Sequence, residues 1–162
     1  LLIGLLGGIL GARVIELYEG DLQLYPEMVF FIPLIAAMGG NAGVQSSAII
    51  VQGLATKSMG MSGILPKLGK EFMVGLLNGL VCAVIIFGYN MIFGDSLALS
   101  YTVSLALLSV IIIATLFGTF VPLILDKYDI DPALATGPFI TTVNDVLGLF
   151  IYFIIGHLLY IA

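Results

Sequence analysis

An all-α integral membrane protein with five transmembrane helices is the fold class that this sequence predicts, on three observations. The 162-residue chain is 60% hydrophobic and 9% charged, where an ordinary soluble domain carries roughly 25% charged residues. Its apolar runs are about 20 to 25 residues long, the length that crosses a hydrocarbon core of about 30 Å. Its lysines fall only in alternate connections, the pattern of the positive-inside rule. The spans are expected at about 1–18, 28–54, 72–92, 97–125 and 132–160, forming one transmembrane domain over 1–162 with no room for a soluble domain.

The first run, Leu1 to about Tyr18, reads as the end of a span whose beginning lies upstream, so the chain is expected to be the membrane part of a longer polypeptide. A cleaved signal peptide is not expected, because the opening has no basic n-region and leads into Arg13 and Glu16. Gly4, Gly7, Gly8 and Gly11 form small-xxx-small pairs that let two membrane helices approach closely. Glu16, Glu19, Asp21 and Glu27 surround a loop containing Gly20 and Pro26, where the chain leaves the membrane.

The second span has a small, polar centre, Ala36-Ala-Met-Gly-Gly-Asn-Ala-Gly-Val-Gln-Ser-Ser47. Amides and glycines at membrane depth suit helix packing, interhelical hydrogen bonds or a wet cavity rather than a lipid-facing surface. Asn41 and Gln45 lie one turn apart and project from one face, toward another span or a pathway. Ala55 to Glu71 is a polar connection with Lys57, Lys67, Lys70, Pro66, Gly60, Gly63 and Gly69, with or without a short interfacial helix. Glu71, Gly75 and Gly79 then recur every four residues at the entry to the third span. Glu71 has two readings, a structural pair with a neighbouring lysine or an ion-binding carboxylate. Cys82, the one cysteine, is expected to be a small buried packing residue, since a lone thiol forms neither an internal disulfide nor a thiolate cluster.

The fourth span carries Gly118 and Pro122 one turn apart. The proline frees a carbonyl, which either serves a pore or merely accompanies a kink that improves packing. Asp131-Pro132 makes an N-cap and N1 pair for the last span. The lysine connections, Lys57–Lys70 and Lys127, lie on one side of the membrane, and the acidic first loop and the Asp95 turn on the other. Cytoplasmic lysines place the N-terminal end inside and the C-terminus outside, in a membrane expected to be the bacterial inner (plasma) membrane.

Asp145 is the residue that this scaffold must explain. It lies far inside the last apolar run, a costly position for a carboxylate that commonly marks an ion path. Thr141 and Thr142 precede it on the same side of the helix, Pro138 and Gly137 lie a turn further back and Gly148 a turn ahead. At about 1.5 Å per residue from Pro132, Asp145 is expected roughly 20 Å along the helix. Carboxylate, hydroxyl and carbonyl oxygens are hard donors suited to Mg²⁺ or Ca²⁺ rather than copper or zinc. One carboxylate undercompensates a divalent ion, and a two-fold dimer would bring a second to the axis. The structural alternative is a protonated Asp145 hydrogen-bonded to Asn41, Gln45 or Asn78. His157, near the outer end, reads as an interfacial residue rather than a ligand.

Pro33 through Gly40-Asn-Ala-Gly-Val-Gln45 to Ser47, Glu71 with Gly75 and Gly79, Gly118 with Pro122, and Asp131-Pro132 through Asn144-Asp145-Val-Leu-Gly-Leu-Phe-Ile-Tyr152 together resemble the transmembrane domain of the MgtE family of magnesium channels and transporters. The Gly-Asn-x-Gly-x-Gln and Asp-x-x-Gly-Leu-x-Ile-Tyr elements carry most of the specificity. The resemblance covers essentially the whole chain. It implies a homodimer of five-helix subunits in a lipid bilayer, with a Mg²⁺ pore at the dimer interface lined by the second and fifth helices. It also implies that Asp145 holds hydrated Mg²⁺, with Thr141 and Gly137 shaping the site. Asn41, Gln45, Asn144, Thr142, Pro138 and Glu71 are then pore-lining or structural polar residues. Some members have Asn where this chain has Gly137. Cytoplasmic N-terminal and CBS domains accompany typical members.

Neither an enzyme nor a nucleic-acid partner is expected. Oxygen ligands would also serve Mn²⁺, Co²⁺ or Ca²⁺. The competing functions are a proton- or Na⁺-coupled divalent cation transporter and, remotely, an intramembrane aspartyl protease, which needs two carboxylates sharing a proton.

Overall fold

The computed structural model describes residues 1–57, 63–94, 96–135 and 137–161, with backbone alone for Tyr160 and Ile161. Gly60 and Asp95, assigned above to connections, lie outside the described residues. The described residues are helical without strands: α1 (Leu2–Leu17), α2 (Glu19–Leu24), a 3₁₀ turn (Pro26–Phe31), α3 (Ile32–Ala55), α4 (Ile64–Phe93), α5 (Leu97–Lys127), a second 3₁₀ turn (Pro132–Ala135), α6 (Pro138–Gly156) and a closing π turn (His157–Ile161). Four segments are long and apolar enough to cross a membrane: Pro26–Ala55, Ile64–Phe93, Leu97–Lys127 and Pro132–Leu159. At 16 residues, α1 extends about 24 Å, less than a hydrocarbon core of about 30 Å.

Three local expectations are corrected. The acidic first connection is helical for most of its length, through α2 and the 3₁₀ turn that begins at Pro26. The connection before the third span is shorter than predicted, because α4 starts at Ile64 and takes Pro66, Lys67, Lys70 and Glu71 into its opening turns. Proline is tolerated there because the first turn of a helix has no intrahelical acceptor for its N–H groups. The last span is not one helix from Pro132. Asp131 Oδ1 accepts from Ala133 N at 2.9 Å, but the turn it starts is 3₁₀, and the chain breaks at Gly137 (φ +59°, ψ −128°) before α6 begins. Asp145 is therefore seven residues beyond the first residue of α6, about 10 Å along the helix rather than 20 Å.

α5 is the centre of the molecule. Half of its span is buried, against 11% of α4. Val103, Ala106, Leu107, Val110 and Ile111 of α5 join Ile35 of α3 and Leu149, Tyr152 and Phe153 of α6 in one core. Glycines set the spacing. A Cβ on Gly118 would stand 2.2 Å from the carbonyl oxygen of Gly43, so α3 and α5 cross backbone to backbone. Gly75 and Gly79 do the same for α4, lying against Ile112 and Leu108 of α5. Pro122 is buried within an unbroken α5, which favours the packing role for the Gly118–Pro122 pair. Ser96 caps α5 by accepting from Leu99 N at 3.2 Å.

Polar contacts tie α6 to its neighbours. Tyr152 is fully buried and its hydroxyl donates to Met28 O at 2.9 Å. Ser47 Oγ donates to Ala135 O, fixing the 3₁₀ turn on α3 just before the Gly137 break. Tyr18 stacks on Phe153 with ring centroids 5.0 Å apart. His157 Nδ1 lies 3.0 Å from Asp21 Oδ2, joining the C-terminal end of α6 to α2.

Candidate functional site

α6 presents Pro138, Thr141, Thr142, Asp145, Val146 and Leu149 to α1 across a groove of about 520 Å³. The opposite wall is the glycine face of α1, Gly4, Gly7, Gly8 and Gly11. These glycines divide the work: a Cβ on Gly7 would stand 2.0 Å from Thr142 Cγ2, whereas Gly4 and Gly8 face open space. One pair makes the contact and the other keeps the groove wide beside the carboxylate.

α3 packs against the same α6 side chains. A Cβ on Gly40 would lie 2.8 Å from Asp145 Oδ1 and 2.9 Å from Thr141 Cγ2. A Cβ on Gly43 would lie 1.8 Å from Asn144 Nδ2. The glycines of the Gly-Gly-Asn-Ala-Gly element thus admit the polar side chains of α6, which lean directly on the α3 backbone. Only glycine leaves that room.

Asp145 is half-buried. Among the described residues its carboxylate has neither a hydrogen-bond donor nor a cationic partner, the close charged or ionisable pairs being Arg13–Glu16 and Asp21–His157. The bonds to Asn41, Gln45 or Asn78 that a purely structural Asp145 would need are not made. No group of three His, Cys, Asp or Glu side chains among the described residues could hold a metal ion, and Asp145 is the one acidic side chain among the described residues lining its groove. Thr141 Oγ1 donates to Gly137 O at 2.8 Å, and Thr141 N donates to the same oxygen at 3.1 Å. The Gly137 carbonyl is therefore occupied, while the Thr141 hydroxyl keeps its lone pairs for a cation or its water shell.

The other expected residues fall elsewhere. Asn144 is 1% exposed and lies between α3 and α6, with both amide atoms unpartnered among the described residues. Gly148 is turned away from the groove, against Val110 and Ile35. Asn41, Gln45 and Glu71 come together with one another rather than with Asp145, in a second groove of about 410 Å³ between α3, α4 and α5 that also holds Asn78, Thr115 and Cys82. Cys82 is half-buried in that wall rather than enclosed. Asn78, expected from the sequence only as a hydrogen-bond partner for a protonated Asp145, lies here instead, and its spacing of seven from Glu71 puts it two turns on along the same helix face.

Known proteins resemble this chain in sequence. Residues 32–155 match the family model MgtE, described as a divalent cation transporter. The chain is 37% identical over 146 residues to the magnesium transporter MgtE of Bacillus subtilis (strain 168), covering 90% of this chain and 32% of that one. It is 35% identical over 151 residues to the magnesium transporter MgtE of Enterococcus faecalis, covering 93% and 33%. To that of Thermus thermophilus it is 32% identical over 159 residues, covering 98% and 35%. The chain spans about a third of the length of the curated relatives it matches. A lone carboxylate in a glycine-walled groove among apolar helices, together with these matches, makes the chain a member of the MgtE divalent cation transporter family.

Proposed function

We propose that this chain is the ion-conducting membrane part of a Mg²⁺ transporter and that it works as a homodimer, with one Asp145 from each copy facing a pore on the two-fold axis. The observation that carries the reading is the unpartnered, half-buried Asp145 carboxylate in a groove whose α6 wall also carries the Thr141 and Thr142 hydroxyls. Two copies supply two negative charges, which match one divalent ion. Mg²⁺ releases its waters reluctantly, so the carboxylates hold a hydrated ion through water, and Thr141 Oγ1 lies one turn away to accept from the same shell. Thr142 and Pro138 continue that wall toward the Gly137 break. The affinity of the site extends in principle to Mn²⁺, Co²⁺ and Ca²⁺, which also take oxygen ligands.

In this reading α1 is part of a fifth span, the lysine connections are cytoplasmic, the C-terminus is outside and the membrane is the bacterial inner membrane. Cytoplasmic Mg²⁺-sensing domains would join ahead of α1. Permeation runs down the electrochemical gradient.

The test is divalent flux in proteoliposomes of purified protein, with Mg²⁺, Mn²⁺, Co²⁺ and Ca²⁺ in parallel and Asp145→Asn as the control. The variant is expected to remain a folded dimer and to conduct no more than protein-free liposomes. Normal uptake by Asp145→Asn sinks the assignment. Native mass measurement that finds only monomers removes the shared axis. Flux that requires a pH or Na⁺ gradient at fixed Mg²⁺ replaces the channel with a coupled carrier.

A further inference from the structure

The groove between α3, α4 and α5 poses a second electrostatic problem, separate from Asp145. Glu71 lies on α4 seven residues from its first residue, and Asn78 lies fourteen from it, about 21 Å along a helix of about 45 Å. Asn78 is thus at membrane depth. On α3, Asn41 and Gln45 line the same groove, and α5 adds Thr115. Asn41, Gln45 and Asn78 are exposed along it. Among the described residues none of these three amides makes a side-chain hydrogen bond, and Glu71 has neither a hydrogen bond nor an ion pair. Lys67, one turn before Glu71, is not within ion-pair distance of it.

Exposed carboxamides and a carboxylate against hydrocarbon would each lose their water without replacement, at a cost of several kcal/mol for the charge alone. Such a groove is stable only if it carries water and a counter-charge. Apart from the Cys82 thiol, every polar side chain that lines it offers an oxygen: one carboxylate, three amide carbonyls and the hydroxyls of Ser46 and Thr115. Oxygen sets of this kind hold hard cations. Their formal charge is −1, half of what a divalent ion needs, and no other acidic side chain lines the groove.

We propose that this groove is a binding site for a hydrated alkali-metal cation, held by Glu71 with Asn41, Gln45 and Asn78. The ion neutralises Glu71 and lets the polar face of α3 remain in the membrane. The site is independent of Asp145, because α3 separates the two: its glycine face meets α6, and its amides line the groove that α4 and α5 complete.

Equilibrium binding of ²²Na⁺ and of ⁸⁶Rb⁺, as a K⁺ analogue, to the purified protein in lipid nanodiscs tests this, with choline holding ionic strength constant. Saturable binding of one ion per chain is expected for at least one of the two. Glu71→Gln should abolish it, Asn78→Ala should weaken it several-fold with Glu71 in place, and Asp145→Asn should retain it. Thermal denaturation in the same nanodiscs identifies a Glu71→Gln protein that has failed to fold, in which case Asn41→Ala and Asn78→Ala decide. The proposal is overturned if neither ion binds saturably, or if folded groove variants bind as the parent does. It is equally overturned if binding is lost in Asp145→Asn and kept in Glu71→Gln, or if the groove binds Mg²⁺ in a Glu71-dependent way and neither alkali ion. Loss of alkali binding in Glu71→Gln alone, with Mg²⁺ flux abolished in Asp145→Asn alone, supports both assignments separately.

Discussion

The two grooves on either side of α3 place a carboxylate in apolar surroundings by opposite means. Around Asp145 the neighbouring helices withdraw their side chains: Gly4 and Gly8 leave open space and Gly40 lets the carboxylate touch backbone. Around Glu71 the neighbours supply polar side chains, Asn41, Gln45 and Asn78. The first arrangement leaves open space beside the charge. The second surrounds a single charge with neutral oxygens. One helix serves both because its glycines and its amides lie on different faces.

The largest expected effect that separates the grooves is on flux. Asp145→Asn should reduce Mg²⁺ uptake in proteoliposomes to background, and the comparison fails if Glu71→Gln does so equally while Asp145→Asn conducts. Next comes the crossing that holds α3 between the two grooves. Gly118→Ala would put a methyl 2.2 Å from Gly43 O, and overpacking of this kind costs about 1–3 kcal/mol. A clear fall in the temperature of thermal denaturation, with losses at both grooves, is expected, and an unchanged melting profile would mean that α3 and α5 are not so closely crossed.

Filling one groove alone is a finer test. Gly7→Val places atoms against Thr142 and into the space beside Asp145, so divalent flux should fall several-fold without reaching background, while alkali-ion binding at Glu71 is untouched. Full flux in this variant would show that ions do not pass the α1 side of Asp145. The smallest effect is expected far from both sites. Tyr152→Phe leaves Met28 O without its donor and should cost about 1 kcal/mol, read as a small drop in thermal stability with flux unchanged. A large flux defect there would tie the α6 anchor to conduction.

Much of the membrane scaffold was readable from residue order. The long apolar runs gave four of the expected spans their places, and the isolation of Asp145 on α6 is as expected. The glycines were read correctly as points of close approach at Gly75 and Gly79; Gly118, read only with Pro122 as a kink or carbonyl device, makes a further one, and Gly40 and Gly43 of the small, polar centre admit the polar side chains of α6. Asp131-Pro132 looked like the start of the last helix because its cap chemistry is sound. The break six residues later depends on Gly137 adopting a positive φ, which a glycine permits without announcing. Pro66 and the lysines resembled a loop because polar composition outweighed helix propensity in that reading, although the first turn of a helix accepts both.

Sequence by itself determined the solvent and the chemistry: a chain this apolar must lie in a bilayer, a carboxylate without a nearby base must find its partner outside its own helix, and Asn41 and Gln45 must share a face. Tertiary structure alone decided which helix each face meets. In a soluble helix the polar side points to water and so declares the inside, but a membrane helix is apolar all round and gives no such direction. Only the packing of α3 on α5 and α6, with a groove left open toward α4, places its glycines beside Asp145 and its amides in the groove with Glu71.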